Sequence, residues 1–276
     1  MEFKNNIGLV EYAYGQISRG YWYGTFGNYA DRDLLEYKRK QYPEMYPPKK
    51  WTEESFVAQF GQKVHDCVGL IKAYMMCDSI DAPAKYNPKY DLSADGLIKI
   101  CTDVVPYSKR PEVGGLICWK KGHVGVYVLN GVTVEAKGHS FGVLETTNTK
   151  WEKVGRLPWV EYVDYTVFVK SLYVDVLGRK AEEDGLGFWV GSLRNKVYTV
   201  QEVAMLFFDS EEFKNRNLSD EEFIHVLYRT FFGRLPDAEG LRFWLERLKT
   251  EDRMDVVAAF VWSAEWQFKS KFIIPE

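Results

Sequence analysis

Two kinds of hydrophobic spacing divide this chain. Between Val68 and Met75 the apolar residues Val68, Leu70, Ile71, Tyr74 and Met75 recur at helical intervals, directly after Asp66-Cys67. That spacing predicts a helix whose first turn carries the thiol. From Lys121 to Val128 the pattern becomes an alternation of β-branched residues, which predicts a strand opened by His123. Ile7 to Ile17 and Ser93 to Ile100 read as further helices, the second capped by Ser93. Gly114 to Val169 reads as strands with turns at Leu129-Asn130-Gly131 and Lys137-Gly138-His139. Helices followed by a run of strands predict an α+β domain with an antiparallel sheet.

Beyond residue 165 the spacing is helical throughout, and the chain repeats itself. Ser171-Leu172-Tyr173-Val174-Asp175-Val176-Leu177-Gly178-Arg179 returns as Val226-Leu227-Tyr228-Arg229-Thr230-Phe231-Phe232-Gly233-Arg234, and Gly185 and Trp189 return at the same offset as Gly240 and Trp244. Asp209-Ser210-Glu211-Glu212-Phe213 is matched by Trp262-Ser263-Ala264-Glu265-Trp266. The expected organisation is therefore residues 1–165 as the α+β domain and 166–276 as a small all-α module of two repeats. The module resembles a bacterial repeat known as domain of unknown function 4214, a resemblance that implies no activity. Trp189, Trp244 and the tyrosines read first as helical core. A second reading has the aromatics, with Glu182, Asp184, Asp237 and Glu239, lining a groove for a wall glycan. Calcium at those acidic pairs lacks the EF-hand pattern.

Composition narrows the function classes. The chain has 276 residues, 16% aromatic, and a formal net charge of -3, which gives no electrostatic reason to expect nucleic acid. No apolar stretch reaches membrane-spanning length. The opening Met1-Glu2-Phe3-Lys4-Asn5-Asn6 lacks the basic cluster and apolar run of a secretory signal, so the expectation is cytoplasmic synthesis without export. Cys67, Cys77, Cys101 and Cys118 show no metal-type pairing; no cofactor or metal is expected, and all but Cys67 read as reduced structural residues.

Cys67 differs from an ordinary core cysteine by its setting. At a helix N-terminus, N–H groups and the helix dipole favour the thiolate, and a histidine opening a strand supplies a base. Asp66-Cys67-Val68-Gly69-Leu70 resembles the Asp-Cys-Ser-Gly-hydrophobic motif of the NlpC/p60 superfamily of papain-like cell-wall peptidases and amidases, with Val68 in place of the serine. Gly122-His123-Val124-Gly125-Val126-Tyr127 is similar to the family's histidine block, although Gly115-Leu116 lacks the aspartate that usually precedes it. The family's third polar residue stands twelve positions beyond the histidine, here Glu135, in a strand Val132-Thr133-Val134-Glu135-Ala136 that sets it on the face opposite Val132, Val134 and Ala136. Without the resemblance, that glutamate would read as a solvated surface residue.

The resemblance implies a catalytic Cys67, His123 and Glu135, with Glu135 accepting the imidazole Nδ1 proton. It places Tyr21, from the loosely matching Tyr21-Trp22-Tyr23-Gly24, and Asp66 at the substrate. The segment with Trp151 and Gly155-Arg156-Leu157-Pro158 is similar to the one that closes the domain in phage lytic enzymes. An insertion from Asn28 to Gln62, interrupted by Pro43, Pro47 and Pro48, separates Tyr21 from Asp66 and either walls the substrate groove or decorates the surface. His65 and His139 read as surface or supporting residues. The implied activity is hydrolysis of an amide bond in peptidoglycan, in the manner of a phage endolysin released onto the cell wall, with the helical module as wall-binding domain. Two alternatives remain open: an intracellular papain-like hydrolase or acyltransferase on another amide, and a binding protein with a vestigial hydrolase domain. The bond cut, the host range and the oligomeric state are not encoded in these motifs.

Overall fold

The computed structural model describes residues 4–47, 51–79, 82–147 and 150–275; Met1 to Phe3 and Pro48, which entered the readings above, lie outside them. The chain divides into two compact units between Glu161 and Tyr162.

The first unit runs α1 (Asn6–Gly15), β1 (Gly20–Tyr21), β2 (Phe26–Tyr29), α2 (Arg32–Gln41), α3 (Glu53–Val57), β3 (Lys63–His65), α4 (Cys67–Met76), α5 (Ala94–Ile100), β4 (Thr102–Pro106), β5 (Ile117–Lys120), β6 (His123–Tyr127), β7 (Thr133–Ala136), β8 (Val143–Thr146) and β9 (Lys153–Arg156). Six strands form one antiparallel sheet in the order β4-β9-β5-β6-β7-β8, and β1, β3 and β2 form a small second sheet with β3 in the middle. Helix α4 packs on β6 and β7 and is backed by α1 and β2, the papain-like placement of a helix across an antiparallel sheet. Its apolar stripe, with Leu70, Ile71 and Ala73 no more than 1% exposed, meets Val124, Val126 and Val134, each fully buried. Burial of each of these leucine, isoleucine and valine side chains contributes about 1.5–3 kcal/mol.

The α+β class and α4 agree with the hydrophobic spacing, and Ser93 caps α5 through the Gly96 N–H at 3.1 Å. Two boundaries differ. The strand pattern ends at Arg156 rather than Val169, because Asp164 caps a helix by accepting from the Val167 N–H at 2.8 Å. Edge strand β4 was invisible to alternation, since Thr102, Asp103 and Val104 are all exposed. The insertion folds on its own small core: Trp22, Leu35, Tyr46, Phe56 and Val64 pack together, and the Trp22 indole donates to Gln59 at 2.9 Å.

The second unit is all helical: α6 (Tyr165–Asp175), α7 (Glu183–Arg194), α8 (Val200–Asp209), α9 (Glu211–Lys214), α10 (Asp220–Leu227), α11 (Ala238–Arg247), α12 (Arg253–Val261) and α13 (Ala264–Lys269). Its repeat has a packing reason. Gly178 and Gly233 take left-handed φ of +71° and +67°, which ends the preceding helical segment in each copy. A Cβ on Gly185 or Gly240 would lie 2.3 or 2.5 Å from the hydroxyl of Tyr173 or Tyr228, so glycine lets that tyrosine cross the next helix. Arg179 and Arg234 lie 4.9 and 5.3 Å from the same two rings. Trp189 and Trp244 pack on Phe207 and Phe260 at 5.4 and 4.6 Å, the core reading of the repeat tryptophans. Glu182 pairs with Arg179, and Asp237 caps the Gly240 N–H at 2.6 Å, so both of these carboxylates hold the fold.

Candidate active site

Asp66 enters α4 in extended backbone and caps it, accepting from the Gly69 N–H at 2.5 Å. Its other oxygen accepts from the Gly24 N–H at 2.8 Å, and the Asp66 N–H donates to the Thr25 carbonyl at 3.0 Å. The turn after Tyr21 is thereby fastened to the N-terminus that carries Cys67. Gly69 explains itself in the same contact, because a Cβ there would sit 1.8 Å from the Thr25 carbonyl oxygen. Asp66 thus holds the turn at Gly24 and the first turn of α4 together. Burial raises its carboxyl above the usual range, against the Gly69 and Gly24 hydrogen bonds.

The Cys67 sulfur lies where three backbone N–H groups converge, those of Val124, Val68 and Cys67 itself. The Val124 N–H brings the thiol to the start of β6, the strand that His123 opens. Burial, followed by the negative charge of Asp66, nevertheless pushes the thiol up to about 12, and the N–H groups only partly offset this. Burial thus works against the thiolate that a helix N-terminus favours, the dipole contributing only about 0.3–1 kcal/mol.

His123 opens β6, and its Nε2 meets Glu135 Oε2 at 2.6 Å. The register Val126↔Val134 continues to place Glu135 opposite Gly125, on the same face as His123. The carboxylate meets Nε2, in correction of the Nδ1 contact anticipated. Glu135 is 1% exposed, contrary to the solvated character of an ordinary strand glutamate. Burial raises its pKa, but the hydrogen bonds from His123 and from the Thr146 hydroxyl, the latter at 2.8 Å to Oε1, outweigh burial and hold the carboxyl below its usual value. The Trp151 indole stacks on the imidazole, 5.4 Å between centroids at 3° between planes. Gly125 makes room for it, since a Cβ there would lie 3.0 Å from the indole.

Tyr21 pairs with His65 across β1 and β3, and its phenol is raised by burial and then by the charges of Cys67 and Asp66, which places it beside the nucleophile. His65 is fully buried, in correction of a surface role: its Nε2 meets the Tyr12 hydroxyl at 2.9 Å, and burial lowers its pKa to about 3. His139 serves the insertion, with Nε2 2.9 Å from the Ser55 hydroxyl and its ring 4.4 Å from both Trp51 and Phe56. The four cysteines are free thiols. Among the described residues no group of three or more His, Cys, Asp and Glu side chains is arranged to hold a metal ion, and no helix is long and apolar enough to cross a membrane. Thr146 and the stacking of Trp151 were missed in the sequence, because only the return of β8 and of the segment before β9 brings them to the histidine.

A cysteine on a helix N-terminus, a histidine opening a strand on which that helix packs, and a buried carboxylate bonded to the histidine are the residue types that nucleophilic cysteine chemistry employs. Residues 160–217 and 204–272 each match the family model described as domain of unknown function DUF4214. Among solved structures, the chain is similar to the peptidoglycan hydrolase RipB from Mycobacterium tuberculosis, with 20% identity, a TM-score of 0.33, and coverage of 57% of this chain and 66% of that one. It is also similar to the P60 domain of an antigen from M. avium subspecies paratuberculosis, with 19% identity, a TM-score of 0.31, and coverage of 55% and 93%. No curated protein matches this chain.

Proposed function

We propose that the protein is a peptidoglycan hydrolase that cuts an amide bond of the wall peptide through Cys67, His123 and Glu135. The observation that carries this reading is the buried 2.6 Å contact of His123 Nε2 with Glu135, on the strand whose Val124 N–H meets the Cys67 sulfur. With burial raising the thiol's pKa, attack and proton transfer go together: His123 Nδ1 takes the thiol proton as Cys67 adds to the amide carbonyl. The Cys67 N–H, one of the α4 first-turn donors, faces the developing oxyanion. Glu135 stabilises the imidazolium, which returns its proton to the leaving amine, and water then resolves the thioester. The wall peptide as substrate rests on the matching Asp66-Cys67-Val68-Gly69-Leu70 and Gly122-His123-Val124-Gly125 motifs.

In the same proposal the enzyme is of lysin type, and the helical unit holds it on the wall. Exposed aromatics at equivalent repeat positions, Phe188 and Phe243, support that role. Digestion of purified peptidoglycan followed by mass spectrometry tests the reading. It is supported if the fragments carry one new amine and one new carboxyl terminus at a single kind of amide bond, and fails if intact walls release nothing.

A further inference from the structure

We propose that Asp95 is a positioning residue for the hydrolysis: from α5 it clamps the turn that carries His123, and so sets where the imidazole and the Val124 N–H stand relative to Cys67. Asp95 lies in the first turn of α5, and one of its oxygens, Oδ1, accepts two N–H groups, the Gly122 backbone at 2.9 Å and the Trp119 indole at 2.9 Å. Those two donors bracket the site. Gly122 directly precedes His123, and Trp119 is the cross-strand partner of Val124, whose N–H meets the Cys67 sulfur.

The turn needs such a clamp. Lys120 pairs with His123 across β5 and β6, so Lys121 and Gly122 are a two-residue hairpin loop. Two-residue loops whose twist matches their strands have a positive φ at the first residue, whereas here only the second, Gly122 at +72°, is positive. Loops of the other kind splay the strands they join, and His123 is the first residue of the strand that would move. The loop's other N–H, that of Lys121, reaches Glu152 only at 3.4 Å, and nothing lies within 4 Å of where a Gly122 Cβ would stand. The Asp95 bonds are therefore the short ones that hold it. Hydrogen bonds from Gly122 and then from Trp119 keep the carboxyl below its usual range, so it serves as an anion, the stronger kind of acceptor. Nor does α5 depend on Asp95 for its cap, which Ser93 supplies through the Gly96 N–H. The consequence for the rate rests on the hydrolase reading of Cys67 and His123; the clamp itself does not.

The test uses the full chain, with kcat and KM measured on muropeptides and the imidazole nitrogen and proton NMR shifts of His123 followed in histidine-labelled protein. Asp95→Ala should lower kcat about 10- to 100-fold, the cost of a misplacement of about 1 Å, leave KM unchanged and move the His123 shifts. Asp95→Asn keeps an oxygen that accepts from both N–H groups, and it should restore most of kcat. Ser93→Ala removes the cap of the same helix; it should lower the unfolding temperature and leave kcat and the His123 shifts as in wild type, which separates the clamp from the stability of α5. Thermal unfolding of each variant confirms that it is folded. Asp95→Ala with wild-type kcat and unmoved shifts, Asp95→Asn as slow as Asp95→Ala, or Ser93→Ala as slow as Asp95→Ala would each overturn the positioning role. Muropeptides left intact by wild type, with His123 shifts moved by Asp95→Ala and not by Ser93→Ala, would overturn the hydrolase reading and leave the clamp standing.

Discussion

Glu135 Oε2 lies 2.6 Å from His123 Nε2 and its partner Oε1 lies 2.8 Å from the Thr146 hydroxyl, so both oxygens of a fully buried carboxylate are committed to named donors. Such a group fixes the orientation of the imidazole and gives it a charge to lean on when it becomes an imidazolium.

Glu135→Gln should lower kcat/KM by about 10- to 100-fold, the worth of one charge-assisted hydrogen bond of about 1.5–3 kcal/mol. Thr146→Val should act differently. It removes a bond that favours the carboxylate, so the Glu135 pKa rises and the acid side of the pH–rate profile moves to higher pH, with a change of less than about threefold at the optimum. A profile that keeps its shape while its height falls would show Thr146 to be packing alone.

Gly69 tests how closely α4 approaches the turn before it. A Cβ would lie 1.8 Å from a carbonyl oxygen of the backbone, which has no side-chain freedom to retreat. Gly69→Ala should cost about 3 kcal/mol, the upper end of overpacking penalties, and should lower activity with it. Gly187→Ala is the contrasting change. Nothing stands within 4 Å of its added methyl in the middle of α7, so the helical unit should gain about 0.5–1 kcal/mol. Urea denaturation of the two variants measures both.

His65 predicts an acid sensitivity of the first unit. Its folded pKa is lowered to about 3 by burial, from 6.5, so the folded state holds the neutral ring and the unfolded state takes up a proton first. The stability it contributes is complete above about pH 6.5 and is lost as pH falls toward 3, at about 1.4 kcal/mol per unit for one proton. His65→Gln, which keeps a partner for the Tyr12 hydroxyl, should be less stable at pH 7 yet flatten this slope by one proton between pH 6 and 4. An unchanged slope would assign the acid sensitivity to other groups.

The helical unit, residues 162–276, should fold alone as an α-helical protein and sediment with purified cell walls, while the chain lacking it should keep activity on soluble muropeptides and clear whole cells poorly. Tethering raises the local concentration at the wall, with an expected gain of about 10²-fold or more. A folded helical fragment that stays in the supernatant with walls of every host tried would remove its targeting role.

Much of the first unit was legible because its signals are local. Cys67 and His123 stand at the start of a helix and of a strand, places that periodicity marks without knowledge of the fold. The spacing of the resembled family pointed to Glu135 but not to its burial, because a strand glutamate looks solvated until β6 and β8 flank it. Which imidazole nitrogen it would meet depends on the diagonal offset between β6 and β7, which spacing alone does not contain. The thiol's raised pKa escaped for a related reason: the helix dipole is visible in sequence order, whereas the burial that exceeds it is assembled from Tyr21, Asp66 and Val124. The insertion's α2 is a local element capped by Asp31, but its core depends on Trp22 and Phe56 meeting across it. His65 shows the same limit, since only the Tyr12 hydroxyl reaching it from α1 tells a buried histidine from a surface one.

The most direct test of the catalytic claim is the release of new amino termini from purified peptidoglycan by wild type, Cys67→Ala and His123→Ala, with circular dichroism to establish that all three are folded. Wild type should release them steadily, and each variant should fall by about 10³-fold or more, because members of one catalytic unit lose most of the rate singly. Equal release by wild type and folded Cys67→Ala would contradict the mechanism.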